Sequence, residues 1–148
     1  MVKRILWYNG NADDLETNLD KADVETKLPH LVEIHAYHNT ETAVEAVKTQ
    51  PFDAIVTTTG QSNNWHKGGK QSGWIVQDAA SLLEQPPPLF LLTFHDRPYI
   101  EALMKRRYQH PIRPSIIPTV IERTQRGLAK DIEERILPLL TPPESLRL

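Results

Sequence analysis

The chain has 148 residues, 39% of them hydrophobic, a formal net charge of −2 and no cysteine. That length and apolar content suit one domain with a core that needs no crosslinks, while the missing cysteines exclude disulfides, thiolate metal sites and cysteine nucleophiles. The near balance of 17 Lys and Arg against 19 Asp and Glu leaves no global field to recruit nucleic acid or an anionic membrane.

Met1 leads directly into a strand-like run, and no apolar stretch is long enough to span a bilayer, so a cytoplasmic protein is expected. The first strand is Lys3 to Tyr8, followed by a turn at Asn9-Gly10-Asn11. A helix follows, capped by Asn11, with Asp13, Asp14 and Glu16 at its positive end and Leu15 and Leu19 at the spacing of a buried stripe. The polar stretch Asp20 to His30 reads as a loop or frayed turn. The second strand, Leu31 to Tyr37, places Leu31, Glu33, His35 and Tyr37 on one face and Val32, Ile34 and Ala36 on the other. Thr40 is the expected cap of a second helix, Glu41 to Thr49, with Ala43, Val44 and Val47 toward the sheet.

Phe52 to Gly60 reads as a central strand buried on both faces. In an open parallel sheet, ligands and chemistry gather beyond the carboxyl ends of the strands, which brings Thr57, Thr58 and Thr59 to the place where a site is expected. The polar loop Gln61 to Ser72 comes next and precedes a third helix carrying Trp74, Ile75, Val76, Ala79, Leu82 and Leu83. Pro86-Pro87-Pro88 closes that helix, and Leu89 to Phe94 is the fourth strand. Pro98 sits in the first turn of a fourth helix with Ile100, Leu103 and Met104. A short fifth strand is placed around Pro111 to Pro114, and a final helix from about Thr119 to Leu137 is expected to bury Ile121, Leu128, Ile132 and Ile136. Residues 1–140 form the domain and 141–148 a tail or linker. Strand and helix alternating five times predict an α/β, doubly wound, flavodoxin-like three-layer sandwich whose five-stranded parallel sheet has the order 2-1-3-4-5.

In that frame the chain resembles the receiver domain of bacterial response regulators. KRILWYN is similar to the receiver's first strand, ETAVEAVKTQPFDAIV to its second helix and third strand, and SGWIVQDA to the opening of its third helix. LFLLTF ends at the position of the receiver threonine, here Thr93, and Arg113-Pro114 resembles its Lys-Pro pair. The resemblance implies an acidic pair binding Mg²⁺ and a phospho-accepting Asp, but this sequence has Asn9, Gly10 and Thr58 at those positions. Amide, glycine and hydroxyl are poor Mg²⁺ ligands and no acyl-phosphate acceptor. What is implied is a pseudo-receiver: a phosphorylation-independent signalling module that binds another signalling protein or itself. Its interface is expected on the fourth helix, fifth strand and final helix, through Tyr99, Glu101, Lys105, Arg123, Arg126 and Lys130. No catalytic residue, cofactor, metal or nucleic-acid partner is assigned.

Other constellations point to alternatives. Lys67-Gly68-Gly69-Lys70, with Trp65 and His66 beside it and Thr57 and Thr59 beneath, could bind a small anion or nucleotide, although it lacks the P-loop spacing. Ser72-Gly73-Trp74 followed by Asp78 resembles the NAD-processing arrangement of TIR domains, with Asp where that family has Glu; Asp96 is a second carboxylate candidate. His35 and His38, three apart on a strand, point to opposite faces and so make no metal pair, while His66, His95 and His110 lie near strand ends or in loops. Lys105-Arg106-Arg107 closes a helix, where cations are favoured in any case.

Overall fold

A computed structural model describes residues 2–10, 13–58, 72–93, 97–107, 118–123 and 126–140, with the side chains of 72–74 and 103–107 outside that description. Five strands form one parallel sheet of order β2-β1-β3-β4-β5: β1 (Lys3–Tyr8), β2 (Val32–Tyr37), β3 (Ala54–Thr58), β4 (Leu89–Thr93) and β5 (Thr119–Glu122). The central strands β3 and β4 are buried at every position, as strands covered on both faces must be. Helix α1 (Asp14–Lys27) packs on one face with the C-terminal helical run, where Ile5, Trp7, Ile34, Val56 and Leu92 meet Val24, Leu28, Leu128 and Ile132. Helices α2 (Thr40–Thr49) and α3 (Ser72–Ser81) cover the other face, where Leu6, Tyr8 and Ile55 meet Ala43, Ala46, Val47, Val76 and Ala80. Helix α4 (Arg97–Arg107) lies next to β5 and buries Ile100.

Several expectations about local structure are corrected. The fifth strand is Thr119–Glu122, in what reads as the start of the last helix, so Ile121 is a strand residue. Arg113 and Pro114 lie outside the described residues, and the side chain that follows β5 is Arg123. Helix α1 continues through the polar stretch to Lys27, capped by Asp13, whose Oδ1 accepts the Glu16 N–H at 2.8 Å. Leu15 and Leu19 do not face the core; they are 68% and 61% exposed. The inward positions of α1 instead hold Thr17, Asp20, Asp23 and Val24, and Lys21–Glu25 and Asp23–Lys27 pairs, at 3.7 and 2.8 Å, brace successive turns. At α2 the cap is Asn39, whose Oδ1 accepts the Thr42 N–H at 3.1 Å, while Thr40 shares a 2.7 Å hydroxyl contact with Tyr8.

The final helical run begins at Leu128, after Gly127, whose φ of 104° only glycine adopts without strain. Asp23 also crowds that point, since a Cβ on Gly127 would stand 3.0 Å from its Oδ2. The run passes from α5 (Leu128–Asp131) through a π-helical segment (Ile132–Ile136) into α6 (Leu137–Leu140). At the α-helical pitch of about 100° per residue, Leu137 would lie roughly 140° around the axis from Ile132. The wider turn brings Leu137 and Leu140 back against the core beside Ile132 and Ile136. It also gives room for the ring of Pro138, which in a regular helix meets the carbonyl four residues earlier, and the helix therefore continues beyond this proline.

Candidate functional site

The carboxyl edge of the sheet is where this architecture places ligand chemistry, and Asn9, Gly10, Thr58 and Thr93 reach it. Asn9 follows β1, is buried, and donates its backbone N–H to Tyr37 O at 3.0 Å; Gly10 beside it is exposed. Thr58 and Thr93 end β3 and β4, both buried. Arg113, Thr59, Trp65, His66, Lys67, Gly68, Gly69 and Lys70 lie outside the described residues.

Thr57 is committed inward. Its Oγ1 accepts from Gln77 Nε2 at 2.6 Å, and the same amide nitrogen lies 3.4 Å from Phe90 O. Gln77 thus ties α3 to β3 and β4 from the second turn of the helix. Its Oε1 is buried and has no hydrogen-bond partner among the described residues, a cost ordinarily of about 1–3 kcal/mol. A glutamine set between apolar Val76 and the alanines 79 and 80 was the available sequence signal for this contact. At this edge the described side chains of Asn9, Thr58 and Thr93 carry amide and hydroxyl groups, which donate and accept hydrogen bonds without charge.

The charged groups lie one layer deeper, on the α1 side. Arg123 leaves the end of β5, its backbone N–H donating to Thr93 O at 2.6 Å, and turns its guanidinium over the Trp7 ring, 5.4 Å from the centroid. Only 9% of its side chain is exposed, and Nε stands 3.6 Å from Oδ2 of the fully buried Asp131. Trp7 Nε1 donates to Asp20 Oδ2 at 3.1 Å, and the Ala129 N–H donates to Asp23 Oδ2 at 3.0 Å. Trp7, Asp20, Asp23, Arg123 and Asp131 therefore connect β1, β5, α1 and α5 through polar contacts inside an otherwise apolar layer. Sequence reading missed this cluster, because it is built from pairs distant in the chain; Asp23 and Ala129 are 106 residues apart.

The two α1 carboxylates respond oppositely to their surroundings. Burial raises the Asp20 pKa above its ordinary value; the Trp7 bond and the Arg123 charge pull it down, and the Asp23 charge raises it further. At Asp23 burial also pushes upward, but the Lys27 bond, the Ala129 N–H and the Lys27 charge outweigh it and leave the carboxyl below its ordinary value. A raised carboxyl favours folding most when protonated, so the Asp20 contribution is full at low pH and declines as pH rises through its folded pKa. The lowered Asp23 contributes above the ordinary value and loses that contribution as pH falls through its folded pKa. Asp23→Asn is expected to destabilise at neutral pH, with the deficit closing in acid. Asp20→Asn is expected to remove an ionisation penalty at neutral pH, and the difference from wild type should vanish below about pH 3.8. Urea unfolding of both variants across about pH 3 to 7 checks the two slopes.

The expected interface residues divide. Tyr99 and Glu101 are exposed on α4; Lys105 falls in the same helix, with its side chain outside the description. Arg126 is exposed and Lys130 half-buried, and both are paired, Arg126 with Glu134 at 2.6 Å and Lys130 with Glu133 at 3.4 Å. Arg123 offers little side chain to a surface contact, because its cation is stacked on Trp7 and faces Asp131 with only 9% of the side chain exposed. Of the histidines, His35 contacts Glu33 at 2.7 Å and His38 contacts Asp14 at 2.9 Å.

Among solved structures, the chain is similar to a de novo designed Rossmann 2x3 fold protein determined in solution by NMR, with a TM-score of 0.57 and 13% identity over 96% of this chain and 97% of the design. The likeness is one of fold. No protein-family profile and no curated protein matches the sequence. No helix among the described residues is long and apolar enough to cross a membrane.

Proposed function

We propose that this chain is a receiver-like signalling module that operates without phosphotransfer, through contact with another protein or a second copy of itself. The observation that carries the reading is the chemistry of the carboxyl edge. Where the resemblance implies an acidic pair and a phospho-accepting carboxylate, Asn9, Gly10 and Thr58 stand at the ends of β1 and β3, and Asn9 and Thr58 are buried. Neutral amide and hydroxyl groups do not supply the carboxylate oxygens that a hard divalent cation and an acyl phosphate require. The module then acts through its outer surfaces. With the Arg123 side chain only 9% exposed, the proposed surface on α4 and the C-terminal run rests on Tyr99, Glu101, Arg126 and Lys130, with Lys105 in the same α4 helix.

Incubation with a small acyl phosphate and Mg²⁺, read by intact mass, is expected to leave the protein unmodified. A phosphoryl adduct would overturn the proposal and make Asp13 and Asp14, at the start of α1, the first residues to replace. A parallel incubation with NAD is expected to return intact nucleotide. Cleavage would put an enzyme in place of the binding module, with the half-buried Asp78 of α3 the first position to test.

A further inference from the structure

The end strands of the sheet, β2 and β5, are built differently. β5 has four residues, and the carboxylate of its last one, Glu122, accepts the Arg97 N–H at 2.6 Å. β2 has six, VEIHAY, without a proline or a lysine, and it pairs with β1 in unbroken register from Lys3 and Val32 to Tyr8 and Tyr37. Shortness, proline, lysine and bulges are the usual means by which a free strand edge is kept from pairing, and β2 has none of them. Its one charged side chain, Glu33, is held within its own copy, 2.7 Å from His35 Nε2 and 3.6 Å from Arg4 Nε. The backbone groups along this edge follow from the ladder. Leu31 O and Tyr37 O accept the Lys3 and Asn9 N–H groups at 2.9 and 3.0 Å, so the odd-numbered residues bond to β1 and the even-numbered ones point away. Val32 N–H is taken by Leu28 O at 3.2 Å. Ile34 and Ala36 each present one N–H and one C=O outward, and no described group bonds to them.

We propose that this edge pairs with the same edge of a second copy, antiparallel about a two-fold axis that passes between the two His35 residues, so that the two sheets become one. The inference names one partner of the interaction module proposed above and to that extent rests on that reading. An axis at His35 sets Ile34 against Ala36 of the second copy, and the reverse, which uses every outward N–H and C=O of both residues. Moving the axis to Ile34 calls on the Val32 N–H, which is already bonded, and moving it to Ala36 calls on His38, beyond the strand. The two-fold closes the assembly, because each β2 edge is consumed by the other. The side chains agree with the same register. On the α1 face Ile34 stands beside the second copy's Ala36, a large residue against a small one. On the α2 face Glu33 stands opposite the second copy's Tyr37, whose hydroxyl bonds to nothing among the described residues, and diagonal to its His35, the basic complement of a carboxylate. An extended segment of arbitrary sequence would meet the backbone groups but not these side chains.

Sedimentation of the full chain over a concentration series tests this. Wild type is expected to rise from monomer toward dimer mass, whereas Ala36→Pro stays monomeric: its N–H points away from β1, so proline removes no bond of its own sheet and takes away the donor to the second copy. Tyr37→Phe, which keeps the ring and loses the hydroxyl facing Glu33, is expected to shift the association to higher concentration. Since the chain has no cysteine, a single introduced thiol reports the register. His35→Cys is expected to form a disulfide-linked dimer under mild oxidation, because residues opposite each other at a non-hydrogen-bonded position have Cα atoms about 4.5 Å apart, within the range a disulfide spans. Glu33→Cys is expected to form none, because its two copies stand about 14 Å apart along the strands. A wild type that remains monomeric throughout, or a Glu33→Cys chain that cross-links as readily as His35→Cys, overturns the inference. Association that persists in Ala36→Pro and disappears in Arg126→Glu/Lys130→Glu overturns it too, while leaving the proposed function in place with a different face. A phosphoryl adduct in the acyl phosphate experiment would instead remove the proposed function and leave the cross-linked dimer standing.

Discussion

Asp131→Ala is expected to destabilise the protein by about 3–5 kcal/mol, the usual consequence of leaving one member of a buried ion pair without its counter-charge. Asp131 is completely buried, and the guanidinium facing it is nearly so. A protein of this size ordinarily has about 5–15 kcal/mol of stability in all, so the variant approaches the unfolding threshold. Replacing both partners with apolar side chains of similar volume, Arg123→Met with Asp131→Leu, is expected to recover most of the loss, since neither charge then remains to be desolvated. Urea unfolding of the two variants beside wild type makes the comparison. A loss below about 1 kcal/mol for Asp131→Ala, the scale of an exposed pair, would show that Arg123 is solvated and that the cluster does not hold β5 against α5.

Trp7→Ala is expected to cost at least as much, about 3–5 kcal/mol from the lost packing alone. Trp7 is fully buried in β1, at the centre of the α1-side core. Its ring also carries the Arg123 guanidinium, and its Nε1–H serves Asp20. Trp7→Phe separates these contributions: it keeps much of the apolar contact but strands the Asp20 acceptor, with an expected loss of about 1–3 kcal/mol. Because Arg123 touches both Trp7 and Asp131, the losses in Trp7→Ala/Asp131→Ala are expected to add poorly, with a coupling of about 0.5–3 kcal/mol. Additive losses would mean that Arg123 does not link the two sites.

The parts of the fold that could be read from sequence were those whose burial is uniform. Strands β1, β3 and β4 each contain a continuous apolar run, Ile5 to Trp7, Ala54 to Val56 and Leu89 to Leu92, because helices cover both faces of the sheet, and the order 2-1-3-4-5 followed from their alternation with helices. Strand β5 was hidden because Thr119–Glu122 has two apolar residues and precedes a helical apolar pattern without an evident break. Helix α1 misled in a more instructive way. Leu15 and Leu19 have the spacing of a core stripe, yet the direction a helix faces is decided by everything packed against it, and Trp7 Nε1 and the Ala129 N–H claimed the carboxylates of Asp20 and Asp23. At the carboxyl edge the positions of Asn9, Thr58 and Thr93 were legible because strand ends are marked by the chain itself. Gln77, Arg123 and Asp131 were not, since a polar residue within an apolar pattern does not announce a partner many residues away.

The π-helical segment bears on how the chain tolerates changes of length. Its turn holds one residue more than an α-helical turn would, so Leu137 and Leu140 owe their position to residue count as well as to residue type. Deleting one of the exposed residues Glu133, Glu134 or Arg135 would tighten the turn to α-helical pitch and still leave the leucines on the inward stripe. The same deletion between Leu128 and Asp131 would instead shift Asp131 away from Arg123 by about 100° around the axis. Two sites a few residues apart in one helix thus differ in kind, one a place where the chain can lose a residue and the other a place where its numbering is fixed.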